Sequence, residues 1–302
     1  MKTVGSLIQR NVKLFFKDKG TFFTSLITPI ILLVLYVTFL YNVYEDSFRS
    51  SMPEGFVFDE KVLKGVVGGL LLSSLLAVST VTVSFCANLS MVADKVSGAR
   101  GDLTISPIKP YSMAIGYYAS TVINGLIISF SAALLGCIYL ACTGWYMSFT
   151  DVLCLCLDVV LLTLFGTALS SLVCFPLTTQ GQLSAAGSIV SAGYGFICGA
   201  YMPISQFSAG LRNVLGFLPG TYGTSLVRNH ALQGVYEEMS AQGFPAEAVE
   251  GIKTVADCNL EFFGHSVEIW QMYLILILSI AVLLGAYILL NVYAEKRKTK
   301  SK

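Results

Sequence analysis

Five runs of this 302-residue chain contain no Asp, Glu, Lys or Arg. They lie between Lys19 and Glu45, Lys64 and Asp94, Lys109 and Asp151, Asp158 and Arg212, and Glu268 and Glu295. A helix crosses the hydrocarbon core of a bilayer with roughly 20 apolar residues, and each run is at least that long. The composition agrees: 55% of residues are hydrophobic and 12% charged, where a soluble domain carries about 25% charge. The fourth run is long enough for two crossings and is broken at "FPLTTQGQ", where Pro176 and Gly181 flank a polar turn. Extending its first half back to Thr150 takes in Asp158. The reading is an all-α membrane protein with six transmembrane helices at about 21–41, 64–92, 111–142, 150–175, 182–202 and 267–292.

An even number of spans puts both termini on one side, and charge selects the side. Lys2, Arg10, Lys13, Lys17 and Lys19 precede the first span. Lys95, Arg100 and Lys109 lie in the loop after the second, and Lys296, Arg297, Lys298, Lys300 and Lys302 in the tail, which makes 13 of the 19 Lys and Arg. The segment 203–266 is acidic instead, with Glu237, Glu238, Glu247, Glu250, Asp257 and Glu261. The positive-inside rule then predicts cytoplasmic termini in a plasma-membrane protein. Residues 1–20 do not read as a signal peptide, because basic residues run on to Lys19. Val4, Leu7, Ile8, Val12, Phe15 and Phe16 share one helical face and Gln9, Arg10, Lys13 and Lys17 the other, which predicts an interfacial amphipathic helix bound to membrane lipid. A solvated helix docked on a partner protein is the alternative. In the outer segment, "FSAGLRNVLGFLPGTYG" (207–223) is apolar at helical spacing but interrupted by Arg212, Pro219 and three glycines. It predicts a re-entrant or surface-lying helical hairpin, followed over 235–264 by a small helical lid. The whole chain, 1–302, reads as one transmembrane domain: interfacial helix 1–20, spans one to five over 21–202, outer segment 203–266, span six 267–292 and basic tail 293–302.

The sequence offers little for catalysis. No Gly-Lys-Ser or Gly-Lys-Thr is present for a phosphate loop, no H-E-x-x-H occurs, and the chain has two histidines, His230 and His265. Neither serine nor cysteine nucleophiles come with a plausible histidine base. Seven of eight cysteines lie in or beside apolar runs and only Cys258 is in a polar segment, so no disulfide framework or zinc site is expected. No cofactor or metal is expected on this chain, and nothing points to nucleic acid. Asp158 is the one ionisable residue well inside a span. It reads either as part of a pathway or subunit contact, or as a structural acid satisfied by a Tyr, Ser or Thr hydroxyl. The second and fifth spans are dense in small residues, including Gly195-x-x-x-Gly199, which allow close helix packing.

The charged connector "DKVSGARGDLTISPIKPYS" (94–112) carries a resemblance. The amphipathic start, six spans, this loop and the outer segment together resemble the type-2 ATP-binding-cassette (ABC) exporter permeases. That family often has acidic-basic-acidic-x-Gly-Thr-x-Glu-x-Leu-x-x-Thr/Ser-Pro here. Asp94, Lys95, Gly98, Leu103, Ser106 and Pro107 match it, whereas Val96, Ala99 and Gly101 depart. "GAYMPISQFSAGLRNVLGFLPGTYG" is similar to the family's outer segment, with Pro203 and Pro219 at its usual proline positions.

The resemblance implies a permease subunit that pairs with a second permease copy or a paralogue, and with cytoplasmic ATPase subunits that bind ATP and Mg. The connector would form a coupling helix docked on the ATPase, offering Asp94, Lys95, Arg100 and Asp102, with Gly98 and Ser106-Pro107 as punctuation. A solvated loop that only sets topology would need Lys and Arg, but not the acids or the Gly-Pro punctuation. By the same resemblance, spans two and five line the pathway, which nominates Phe85, Asn88, Ser191, Tyr194 and Tyr201, beside Asp158. An apolar lining with hydroxyls suggests an exported amphipathic substrate such as a lipid, peptide or drug-like molecule. The alternatives are an ion-gradient-driven secondary transporter, which wants paired acids or broken helices at the midplane, and a lipid head-group enzyme, which wants a cluster of acids or metal ligands.

Overall fold

A computed structural model describes residues 2–50, 52, 58–105 and 108–300. Helix α1 (Lys2–Lys17) leads through the N-cap Asp18 into α2 (Lys19–Leu35), one π-helical turn (Tyr36–Leu40) and α3 (Tyr41–Ser50). Then follow α4 (Glu60–Val96), the short α5 (Ala99–Ile105), α6 (Pro110–Thr143), α7 (Phe149–Cys174) and α8 (Gln180–Ile197). After a 3-10 turn (Ile204–Gln206) come α9 (Ala209–Leu215), α10 (Pro219–Ala241) and α11 (Ala246–Val255). A two-stranded hairpin, β1 (Glu261–Phe262) and β2 (His265–Ser266), precedes α12 (Ile269–Lys300).

Five helical segments among the described residues are long and apolar enough to cross a bilayer: 19–50, 60–96, 110–143, 149–174 and 269–294. They cover five of the six spans read from the sequence. The first runs on past its expected end at 41, because α2, the π turn and α3 form one continuous rod through Glu45, Asp46 and Arg49. The remaining expected span, 182–202, holds α8, which has 18 residues and reaches about 27 Å, just short of a hydrocarbon core of roughly 30 Å.

Local chemistry sets the helix ends. The Asp59 side chain caps α4 by accepting from the Lys61 amide at 2.9 Å, and Gly98, at φ +82°, turns the chain out of it. Ser148 with Asp151, and Thr179 with Gln182, make reciprocal capping boxes at the starts of α7 and α8. Pro110 and Pro219 stand in the first turns of α6 and α10, where a missing N–H costs nothing.

Helix α4 is the axis of the molecule. Its apolar stretch is buried on every side, packed by α2, α6, α7, α8 and α10. Four of its hydroxyls are satisfied within the helix: Ser73, Thr80, Thr82 and Ser84 donate back to carbonyls three or four residues earlier. On α7, a Cβ at Gly166 would come within 2.8 Å of the Val81 Cα, so glycine sets how closely α7 approaches the axis.

The outer segment is more deeply built in than the sequence suggests. The expected hairpin over 207–223 is instead short α9, a turn, and then α10, which continues unbroken to Ala241. Residues Gly220–Arg228 of α10 are all buried, and the helix packs on α4, α7 and α12. The expected lid over 235–264 comprises the end of α10, α11 and the β hairpin; α11 turns Val249 and Ile252 into a second core with Phe48, Val62, Tyr236 and Phe244.

Candidate functional site

The end of the bundle that holds α5 is organised around four charged side chains. Arg10 on α1 makes a bidentate ion pair with Asp94 near the C-terminus of α4, at 2.7 and 2.8 Å. The Tyr117 hydroxyl on α6 donates to the same carboxylate at 2.6 Å, and Asn11 on α1 donates to Ser120 on α6. The hydrogen bonds to Asp94 outweigh desolvation and hold the Arg10 guanidinium above its ordinary pKa. One residue on, Lys95 donates to the carbonyls of Cys174, Phe175 and Leu177 and lies over the Phe175 ring at 5.5 Å. A cation there meets the negative end of α7 and satisfies carbonyls that its last turn leaves unpaired. Arg100 on α5 donates to Asn291 on α12 at 3.2 Å.

Asp94, Lys95 and Arg100, read from the sequence as charges offered outward, are therefore engaged inside the chain. They join the N-terminal flank and first turn of α5 to α1, α6, α7 and α12. Gly98, Gly101 and Asp102 remain exposed on the connector. Ser106 and Pro107 lie outside the described residues. The signal for this network was present in the acid–base pair at 94–95, but its partners are 79 to 191 residues away, apart from Tyr117 at 23. Sequence reasoning placed Arg10 only on a lipid-facing lysine stripe and did not single out Tyr117.

Two clefts lie on either side of the seam between α4 and α8. One, of about 570 Å³, is almost wholly apolar and is lined by Phe85, Phe165, Tyr194, Pro219, Leu278 and Val282 among others. The other, of about 790 Å³, opens toward α1 and α2 and carries Asp18, Thr21, Thr24, Ser184, Ser188 and Ser191 over a floor that includes Phe15 and Cys86. Of the residues nominated for a pathway, Phe85 and Tyr194 face the first cleft and Ser191 the second. Asn88 is buried between the helices and donates to Ser170 and Ser171 at 3.1 and 3.0 Å. Tyr201 lines neither cleft; its ring lies against Gly195 and meets Phe196 at 5.1 Å.

Asp158 also lines neither. It accepts from the Tyr273 hydroxyl at 2.7 Å and contacts His230 Nδ1 at 2.6 Å, tying α7 to α12 and α10. The tyrosine partner is of the kind a satisfied acid requires; the histidine was missed because it stands 72 residues on, in a segment read as external. A further buried pair was missed altogether. Arg228, fully buried on α10, meets Asp257 at 2.8 Å and the Gly199 carbonyl at 2.6 Å. Asp257 in turn accepts from the amides of Ile204 and Ser205, at the turn that Pro203 caps. Arg212 is half-buried on α9, and Pro219 starts α10. Beside this pair, burial pushes the Cys258 thiol up to about 11, so the one cysteine in a polar stretch of sequence is an inert core residue.

The family model described as ABC-2 type transporter matches residues 2–231, from α1 into α10. The chain belongs to the ABC-2 type transporter family. It is the membrane permease subunit of an ABC transporter and a multi-pass membrane protein, and the transport subunit is not itself the catalytic one. Membership implies an ABC ATPase as partner and usually a second permease. A comparison with individually curated proteins returned no match. Within this ABC-2 permease, α11, the β hairpin and α12 lie beyond the matched residues.

Proposed function

We propose that this permease is the conduit of an ATP-driven exporter in the plasma membrane, with both termini cytoplasmic and a separate ATPase, carrying ATP and Mg, docked on α5. The observation that carries the reading is the way α5 is mounted. Its N-terminal flank and first turn are fastened by Asp94, Lys95 and Arg100 to α1, α6, α7 and α12, while Gly98, Gly101 and Asp102 stay exposed on the connector. A displacement of α5 by closing ATPases would be handed at once to four helices rather than dissipated in a loop. In this account α8 and the residues up to 202 make the fifth of six crossings, and a second permease subunit faces α8.

The pair of clefts supports an amphipathic substrate. An apolar groove beside Phe85 and Tyr194 suits an alkyl or aromatic portion, and the hydroxyl-lined cleft beside Ser191 suits a polar one. Lipids, peptides and drug-like molecules share that chemistry. The buried Asp158–His230 contact is the one feature that favours an ion-driven alternative. It braces three helices and touches neither cleft, so the ATP-driven reading has the stronger support.

The two parts of the coupling scaffold separate by mutation. Asp102→Arg is expected to reduce co-purification of the ATPase, because it reverses an exposed charge on the docking helix. Lys95→Met is expected to leave the ATPase bound yet cut transport per ATP hydrolysed, because α7 loses its tie to the connector. Wild-type coupling in Lys95→Met reconstituted with its ATPase would refute the transmission role.

A further inference from the structure

The β1–β2 turn is built against its own backbone preference. Glu261 pairs with Ser266 and Phe262 with His265, leaving a two-residue turn, Phe263-Gly264, with φ of +51° and +80°. Positive φ at both positions is the hairpin geometry that asparagine, aspartate and glycine supply most easily, and for a bulky residue it is an outlier. The chain nevertheless sets a phenylalanine at the tip, with its side chain 59% exposed.

That ring is not isolated. Phe263 meets Phe262 at 4.8 Å and Phe217 at 6.1 Å, and Phe217 is itself 68% exposed. The hairpin is fixed to α9: the Phe263 amide donates to Asn213, and Phe262 lies over Gly216, where a Cβ would come within 2.7 Å of the ring. Leu211 and Val214, three residues apart on α9, extend the exposed apolar surface. A few residues past β2, Trp270 stands exposed in the first turn of α12, followed by exposed Leu274, Ile277 and Leu278 along that span. Glu261, His265 and Glu268 are exposed around the patch.

We propose that α9 and the β1–β2 hairpin form a wedge that inserts Phe217 and Phe263 into the head-group boundary of the leaflet around the start of α12. An exposed apolar patch of this kind marks a membrane or protein contact. The lipid boundary is favoured because the hairpin leads within three residues into α12, and Leu218, next to Phe217, shares a cleft with Leu278 of that span, where Trp270 marks the end at which aromatic side chains gather. The polar rim stays in water while the rings do not. Strain at the turn is then retained for the position of one ring.

The test uses the full chain in phosphatidylcholine nanodiscs, with the photoreactive residue benzoylphenylalanine at position 263 or, as a control, at the exposed Glu247 of α11. Lipid adducts several-fold more abundant at 263 are expected. Yields no higher than at 247, or crosslinks from 263 to a second protein chain, would overturn the proposal. Phe263→Asn supplies the residue that the turn prefers. It should leave the melting midpoint in detergent unchanged or raised, while a lowered midpoint would mean that the ring serves internal packing and would also overturn it.

Discussion

Arg228→Met is expected to prevent stable accumulation of the permease in the membrane. The guanidinium is fully buried and serves both the Asp257 carboxylate and the Gly199 carbonyl, so its loss strands a buried negative charge. Breaking one partner of such a pair costs about 3–5 kcal/mol, against a total stability of roughly 5–15 kcal/mol for a folded chain. Asp257 is additionally the anchor for the Ile204 and Ser205 amides, and its own backbone sits at φ +53°. The pair therefore joins the end of α8 to α10 and to the loop after α11. Adding Asp257→Asn removes the stranded charge, and the double variant should be less destabilised than the two single losses summed. Melting midpoints of the purified set in detergent give the coupling directly; strict additivity would mean that the two groups do not act as a pair.

Two helical glycines make the second strong prediction, because they should respond to alanine in opposite directions. At Gly234 on α10 a Cβ would lie 1.9 Å from the Tyr146 carbonyl oxygen and 2.6 Å from its carbon. Both are backbone atoms of the α6–α7 connection and cannot rotate away. Gly234→Ala must therefore push α10 off that connection, a loss at or above the roughly 1–3 kcal/mol usual for overpacking. Gly251 on α11 has nothing within 4 Å of its Cβ direction. There alanine should gain up to about 1 kcal/mol from helix propensity alone. Thermal midpoints that moved the same way in both variants would contradict the close packing of α10.

Long apolar runs in the sequence carry most of the architecture. They gave five of the spans, four of them to within four residues at both ends, since charge at Lys19, Lys64 and Asp94 brackets segments that only a bilayer or a core can accept. The amphipathic stripe of α1 was legible for the same reason: Leu7 and Phe15 turn inward, and Lys13 and Lys17 outward. What stayed hidden was α10. Its sequence mixes Arg228, Asn229, His230, Glu237 and Glu238 with glycines, and so reads as a helical hairpin over 207–223 and a helical lid over 235–264 rather than as one helix. The partners of Arg228 and His230, Asp257 and Asp158, lie 29 residues after and 72 residues before them. Helical periodicity carries no information about such distant pairs. The first span likewise ran past its predicted end because Glu45 and Arg49 pair with each other along the helix at 2.8 Å. At the candidate site, the loop was legible as an element, but the inward direction of Asp94 and Lys95 was not; that depends on where Arg10, Tyr117 and the end of α7 come to rest.

The central claim is that this permease supplies a passage and takes its power from another chain. Transport by proteoliposomes holding the permease and its co-purified ATPase tests it most directly. Movement of substrate should require ATP, stop with vanadate, and be absent when the permease is reconstituted alone. Substrate movement by the lone permease under an imposed ion gradient, with no nucleotide present, would contradict it.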